Sequence, residues 1–176
     1  MAAAKPIVAA QGFSDFSFDE VAANADVSRN LLYHYFPRGR PDVVLAVVEG
    51  AGHELTDDWL TDETIPLPER LAANNSRMIN HAMRPTDAWT IYQRAQGSND
   101  PELREAVDRF LEVVVTAMSI NHLGTDDPSP VARLALKGYL AFFGAVLDEA
   151  RTETMQTNDV LKVLGETLFA ALRAAE

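Results

Sequence analysis

The stretch S-F-D-E-V-A-A-N-A-D-V-S-R-N-L-L-Y-H-Y-F, residues 17–36, predicts two short helices joined by a tight turn. Ser17 and Glu20 have the spacing of a capping box, in which each side chain can satisfy a free backbone N–H of the other residue. Asp26 lies where the turn needs a residue that tolerates positive φ. Ser28 is suited to cap the second helix. This pattern is typical of a helix-turn-helix, so the first functional hypothesis is DNA binding.

The second of these helices has an outward face of polar and aromatic side chains. Leu32 and Phe36 recur at the spacing that turns both toward the first helix. Arginine and asparagine can pair with the major-groove edges of guanine and adenine, whereas tyrosine and histidine reach phosphates. The alternative is an ordinary solvated helix face. The outward residues are Arg29, Asn30, Tyr33 and His34.

The run V-S-R-N-L-L-Y-H-Y-F-P, residues 27–37, resembles the recognition helix of the tetracycline-repressor (TetR) family. The clear resemblance covers about residues 11–48. It implies that Arg29, Asn30 and Leu31 approach base edges, with Leu31 offering an apolar contact such as one to a thymine methyl. It also implies contacts to the DNA backbone from Ser17, Ser28, Tyr33, His34 and Tyr35.

Two positions depart from the family pattern. The turn glycine of the family is Asp26 here, and the lysine expected three residues after the helix-ending Phe36 falls on Gly39. Arg38 or Arg40 is expected to supply the missing phosphate contact.

Composition limits what the rest of the chain can be. The 176 residues are 47% hydrophobic and contain no cysteine, which excludes disulfides, thiol redox sensing and cysteine-ligated zinc. The sequence has no signal peptide, so we expect a cytoplasmic protein without a membrane partner. It lacks H-x-x-H, H-E-x-x-H and G-x-S-x-G patterns and a phosphate loop. We therefore predict no metal site, no catalytic residue and no cofactor other than an unidentified small-molecule effector.

The net charge of −11 is unevenly distributed. Residues 1–40 contain four basic and four acidic side chains, so the whole excess of negative charge lies beyond Arg40. A module without net charge has a weak non-specific affinity for DNA, because non-specific affinity comes mainly from the neutralisation of phosphates.

The remainder of the chain shows helical patterns and almost no strand signal. Starts such as Pro41-Asp42, Asp100-Pro101 and Ser129-Pro130 favour an all-α protein of about nine helices. We predict a helix-turn-helix domain over residues 1–46 and a helical ligand-binding and dimerisation domain over residues 47–176. Beyond the first three helices, the predicted helices span residues 41–59, 68–83, 87–96, 101–122, 130–153 and 158–174.

The last two helices are apolar on more than one face, which exceeds what one intramolecular core needs. We expect them to pair with the same helices of a second copy in a four-helix bundle. The alternative is an ordinary core. The surplus on the first of them includes Leu134, Gly138, Ala141, Ala145 and Leu147.

The middle helices combine aromatic area, thioethers and a few polar groups, a mixture that suits a small-molecule pocket. The alternative is an ordinary hydrophobic core, because methionine and aromatic residues at helical spacing are usually core residues. The candidate ligand-binding residues are Met78, His81, Trp89, Tyr92, Gln93, Phe110, Val114, Met118, His122 and Phe143.

These observations predict a ligand-responsive dimeric regulator, a repressor, that binds a palindromic operator in double-stranded DNA. Two recognition helices about 34 Å apart would read such a site. An inducer that binds preferentially to the state in which the two DNA-binding domains are spread apart would release the DNA, and the helix that begins at Pro41 would transmit this change. The alternative is a helical dimer of the same fold that has lost DNA binding and acts as a ligand- or protein-interaction module. An enzyme has little support.

Overall fold

The computed structural model describes residues 2–56, 64–83, 86–153 and 155–174. It omits the side chains of Leu67, Pro68, Leu71, Ala72, Asn75, Met78, His81, Ala82 and Arg151. Across these ranges the chain forms nine helices and no strand, which confirms the all-α prediction. The helices are α1 (Lys5–Gln11), α2 (Phe18–Asn24), α3 (Arg29–Tyr35), α4 (Arg40–Thr56), α5 (Leu67–Met83), α6 (Asp87–Gln96), α7 (Pro101–Leu123), α8 (Pro130–Thr152) and α9 (Thr157–Arg173). The predicted extension of α4 to Trp59 lies outside the described residues.

Side-chain caps fix where several helices begin. The Ser17 hydroxyl accepts from the Glu20 N–H at 3.3 Å, and the Ser28 hydroxyl accepts from the Leu31 N–H at 3.2 Å. The Glu20 carboxylate accepts from Gln11 Nε2 at 2.9 Å. Thr86 and Ser129 cap α6 and α8 in the same way as the two serines. These bonds satisfy backbone donors that a helix cannot pair internally.

The turn between α2 and α3 has the predicted backbone conformation. Asp26 has φ of 53°, the left-handed region in which aspartate costs less than most non-glycine residues. The N–H of Val27 then returns to the Ala22 carbonyl at 3.0 Å. Aspartate can therefore occupy the position where the family pattern has glycine.

The chain divides into two compact units that interrupt each other in sequence. The first comprises Met1–Asp57 and Pro85–Phe110, and the second comprises Asp58–Arg84 and Leu111–Glu176. Helix α7 contributes Pro101–Phe110 to the first unit and its remaining residues to the second. The predicted division after residue 46 stays a prediction.

The first unit is built on α1, α4 and α6, which pack against one another. Its core includes the fully buried side chains of Val8, Phe16, Val43 and Ile91. Arg94 of α6 also donates from Nη1 to the Val8 and Ala9 carbonyls at 3.0 and 2.7 Å. The Val8 carbonyl also accepts from the Gly12 N–H at 2.9 Å, so Arg94 shares one carbonyl with the backbone and places a cation at the C-terminus of α1. The helices on either side of the helix-turn-helix, α1 and α4, thus both pack on α6.

The second unit is built on α8 and α9, with α5 packed against both. Leu136 and Leu147 of α8 are fully buried, and Leu164 and Leu168 of α9 are nearly so. On α7, Glu112 accepts from Arg133 Nη1 at 2.6 Å and also pairs with Lys137. Both bonds lie within this unit and join α7 to α8.

The turn at Gly39 generates a stability prediction. Gly39 has φ of 74°, so Gly39→Ala should lower the free energy of unfolding by about 1 kcal/mol. Gly50→Ala is the matched control, because Gly50 lies inside α4 with no atom within 4 Å of an added Cβ. That control should raise stability by up to about 1 kcal/mol. Urea unfolding followed by circular dichroism measures both, and equal effects of the two variants would contradict the prediction.

Candidate DNA-binding surface and ligand-binding residues

Helix α3 buries one side and exposes the other. Leu32 is 7% exposed and faces the core, while Leu31 is 42% exposed. The predicted base-reading residues Arg29, Asn30 and Leu31 are therefore all exposed. The exposed side chains of α3 are those of Arg29, Asn30, Leu31, Tyr33, His34 and Tyr35.

Arg29 is held by two neighbours on this face. Its Nη1 donates to Asp19 Oδ2 of α2 at 2.9 Å, and its guanidinium carbon lies 5.6 Å from the centroid of the Tyr33 ring. The Tyr33 ring in turn packs on Phe18, with 4.6 Å between centroids. Tyr33 therefore combines an exposed position with a packing contact to α2. The first turn of α3 is thus positioned by α2 before any DNA is present.

Tyr35 is the most exposed of the large hydrophobic side chains of α3. It is 69% exposed and meets His34 edge to face, at 5.5 Å between ring centroids. An exposed hydroxyl at the end of α3 suits a contact to a phosphate. Ser17 and Ser28, predicted to touch the DNA backbone, use their hydroxyl oxygens as acceptors for the caps of α2 and α3. Each hydroxyl hydrogen stays available as a donor to phosphate.

Arg38 lies in the turn after α3 and is bound to two carboxylates of the same unit. Its backbone N–H donates to Asp42 Oδ2 at 2.8 Å and its Nε to Asp42 Oδ1 at 2.5 Å. Its Nη1 donates to Glu102 Oε1 at 2.7 Å, at the start of α7. We name this arrangement the Arg38 clasp. A guanidinium held by its own chain must leave these partners, or share them, to meet a phosphate.

The clasp changes the proton affinities of its members. The pKa of Arg38 is raised, first by the hydrogen bond to Glu102 and then by that to Asp42. The pKa of Asp42 is lowered, chiefly because the Arg38 backbone N–H donates to its carboxylate. Likewise the Tyr33 hydroxyl and then Asp19 raise the pKa of Arg29. Arg29, Arg38 and Asp42 therefore stay charged at neutral pH.

Arg40, the other candidate for the phosphate contact, begins α4. Its Nη1 donates to the Ser14 carbonyl at 3.3 Å, and its guanidinium lies 5.8 Å from the Phe16 ring centroid. Gly39 between the two arginines closes the turn, its N–H donating to the Phe36 carbonyl at 2.8 Å. A lysine at this position would require positive φ, which explains the departure from the family pattern. The turn therefore presents arginines on both sides of a glycine.

The predicted ligand-binding residues fall in both units. In the first unit, Trp89, Tyr92 and Phe110 form an aromatic cluster, with centroids of successive rings 5.9 and 4.9 Å apart. Gln93, also in this unit, is half-buried. Burial, followed by the charge of Asp108, raises the pKa of Tyr92 to about 12. The structure thus gives these residues a packing role, and their ligand-binding role stays a prediction.

The predicted residues of the second unit are mostly core. Val114, Met118 and Phe143 are 2%, 9% and 6% exposed. Burial lowers the pKa of His122 to about 4, so its imidazole is neutral at physiological pH. The side chains of Met78 and His81 lie outside the described residues. Within the described chain, no group of three or more His, Cys, Asp or Glu side chains could hold a metal ion.

The sequence reasoning missed the carboxylates that hold the two arginines. The i,i+4 spacing of Arg38 and Asp42 carried a signal for their pairing. The spacing of Asp19 and Arg29 across the turn carried a weaker one. Glu102 is 64 residues from Arg38, and no local pattern could reveal that contact.

Comparison with known proteins now places this architecture. Residues 1–47 match the sequence model of the family described as "Bacterial regulatory proteins, tetR family". The match to this family thus covers the N-terminal part of the chain. This match agrees with the predicted resemblance to TetR-type transcriptional regulators, which carry a helix-turn-helix domain.

Similarity to individual members of the family extends over the whole chain. The HTH-type transcriptional regulator SrpR of Pseudomonas putida is 26% identical over 181 residues, which cover 97% of this chain and 82% of that protein. A TetR transcriptional regulator from Rhodococcus sp. RHA1 superposes with a TM-score of 0.66 and 16% identity, covering 97% and 91% of the two chains. The fatty acid degradation regulator FadR from Bacillus halodurans superposes with a TM-score of 0.68 and 16% identity, and the match covers 97% of this chain and 95% of that chain. The two solved structures therefore share the fold.

The Arg38 clasp generates a prediction about DNA binding. Glu102→Gln should strengthen binding to duplex DNA roughly threefold at low salt, because one carboxylate no longer competes with phosphate for Arg38. The gain should shrink as salt rises, since exposed charges are screened. Fluorescence anisotropy with a labelled duplex, measured at several salt concentrations, tests this.

Glu105→Gln is the control for that measurement. Glu105 lies on the same helix and pairs with Arg109 at 2.9 Å, so its change removes the same charge without touching the clasp. Equal gains in DNA affinity from the two variants would show that the gain comes from the change in net charge, and would contradict the role assigned to the Arg38 clasp.

Proposed function

We propose that this protein is a ligand-responsive dimeric repressor that binds a palindromic operator in double-stranded DNA. The observation that carries the proposal is the exposed face of α3, where Arg29, Asn30 and Leu31 stand free of the core on a helix capped at its start. Arginine and asparagine read guanine and adenine edges, and an exposed leucine suits a thymine methyl. The buried neighbour Leu32 fixes which way this face points.

Exposed apolar surface on α8 and α9 supports the dimer. Leu134 is 72% exposed, and Gly138, Ala141 and Ala145 continue the same exposed stripe of α8. Leu147, expected in the surplus, is instead fully buried. On α9, Val163 and Phe169 are 45% and 57% exposed. Apolar stripes of this kind mark protein interfaces, and a second copy would cover both helices at once.

Helix α8 would also be long and apolar enough to cross a membrane by length and composition alone, over Pro130–Ala150. Lys137 and Arg133 within that span pair with Glu112, and Leu136 and Leu147 are packed in the core of the second unit. A helix with ion pairs and a buried leucine row on one side suits a subunit interface on its other side. We therefore assign its exposed stripe to the dimer in a cytoplasmic protein.

A ligand response requires a route between effector and DNA-binding surface. Helix α7 belongs to both units, and its first turn holds Glu102 of the clasp while its second half includes Val114 and Met118. An effector that binds more tightly to one of two placements of α7 would shift the population toward that placement. The operator affinity would then change by an amount set by the difference between the effector's affinities for the two placements. This adds α7 to α4 as an element that transmits the response.

A second candidate is a dimer of the same fold that no longer binds DNA. The observation in its favour is that Arg29 and Arg38 both form ion pairs with carboxylates of their own domain. Because residues 1–40 are neutral overall, such pairing leaves little positive potential for phosphates. Binding of the wild type to random duplex at low salt decides between the two candidates.

Selection of bound duplexes from a random pool tests the repressor proposal. The wild type should enrich a palindrome with half-sites about one helical turn apart. Arg29→Ala should weaken binding about tenfold or more and relax one base preference, whereas Tyr33→Ala should weaken all sequences alike. Arg104→Ala, an exposed position bonded to the Asn99 carbonyl, should match the wild type. Absence of any enrichment at low salt would contradict the proposal and favour the second candidate.

Charge placed on the α8 stripe tests the dimer. Leu134→Glu should raise the dimer dissociation constant by about tenfold or more, since two buried carboxylates would oppose each other across the symmetry axis. Val113→Glu puts the same charge on an exposed apolar position of α7 and should leave the dimer intact. Sedimentation equilibrium measures both. A monomeric wild type, or equal effects of both variants, would contradict the assignment.

A further inference from the structure

We propose that Arg70 of α5 anchors a binding site for a small organic carboxylate in the second unit. The proposal rests on the ligand response proposed above and names the chemical class of the ligand. It starts from one side chain, because Arg70 is 9% exposed and its Nε and Nη1 are buried without a hydrogen-bond partner in the described part of the chain.

A buried guanidinium without partners is a costly arrangement. Arginine cannot lose its proton in a protein, so burial does not neutralise it as it would a lysine. Unpaired N–H donors and an unpaired charge both disfavour the folded state. A chain that keeps such a group inside its helical core is stabilised when an anion enters to meet it.

Apolar side chains dominate the helices that pack against α5. Asn74 follows one helical turn later on the same face of α5 and is 8% exposed. Helix α5 packs against α8 and α9, whose buried residues in this unit are aliphatic or aromatic, as at Phe143 and Leu164. A ligand there would place a charged group at Arg70 and an apolar body against the packed helices.

The charge of the ligand follows from the inventory of buried polar side chains. Among the described residues of the second unit these are Arg70, Asn74, Ser119 and Asn121, so Arg70 is the one cation. The Ser119 hydroxyl donates to the Thr125 carbonyl at 2.6 Å and is therefore occupied. One guanidinium balances one negative charge and matches the planar shape of a carboxylate. A phosphate monoester, with its second charge, would remain under-compensated.

Thermal unfolding of the full-length protein with matched probes tests the site. Sodium decanoate at saturation should raise the Tm of the wild type by about 5–8 °C, and 1-decanol should not. Acetate should give a smaller rise at higher concentration, because it offers the charge without the apolar body. Sodium chloride and sodium sulfate at equal ionic strength should leave the Tm unchanged.

Variants of α5 separate the site from a general effect of charge. Arg70→Met should lose the decanoate shift and, without ligand, melt above the wild type, since it removes a buried charge with two nitrogens that lack hydrogen-bond partners among the described residues. Arg70→Lys keeps the charge but loses the planar donors, and should lose more than half of the shift. Arg77→Gln, two turns along the same helix, removes one positive charge and should keep the full shift.

Three results would overturn the site. They are equal shifts from decanoate and decanol, a full shift in Arg70→Met, and no shift of the wild type with any carboxylate probe. Titration of the operator complex with decanoate then tests the ligand response separately. A Tm shift without loss of operator affinity would leave the Arg70 site standing and remove its inducer role, whereas failure of the wild type to bind DNA would concern the proposed function alone.

Discussion

The packing of α1, α4 and α6 around Phe16, Val43 and Ile91 is the constraint on which the DNA-binding surface depends. Helices of seven residues, such as α1, α2 and α3, are too short to be stable alone. Their direction is therefore set by burial against longer helices. Arg94 strengthens this by bonding the last carbonyls of α1 from α6. The helix-turn-helix is thus the exposed edge of a larger core.

Sequence reasoning could locate the elements of this fold because their signals are local. Ser17, Ser28 and Asp26 each act on a backbone group within a few residues, so the caps and the turn could be predicted without tertiary information. The aliphatic periodicity of α8 and α9 likewise predicted a surplus of apolar surface. Leu147 was misplaced because periodicity alone does not say which of several apolar faces the neighbouring helix covers.

The parts that the sequence could not predict depend on contacts between distant residues. The meeting of Glu102 with Arg38 follows from the packing of the first unit, and no short-range pattern encodes it. The same applies to the predicted ligand-binding residues, which fall in two units because α6 and the first part of α7 belong to the first unit. Composition showed the right residue types but not their neighbours, and Arg70, which carries the proposed ligand site, had no distinguishing signal in the sequence.

Pairing of Arg29 and Arg38 with carboxylates of their own domain also concerns how the protein responds to its surroundings. When a free cation binds DNA, mobile ions leave the phosphates, and affinity then falls steeply as the cell concentrates its salts. An arginine that exchanges one carboxylate for a phosphate leaves behind an anion, which attracts a mobile cation in turn. The two ion movements offset each other. A regulator built in this way would keep a steadier operator occupancy when osmotic stress changes the ionic content of the cytoplasm.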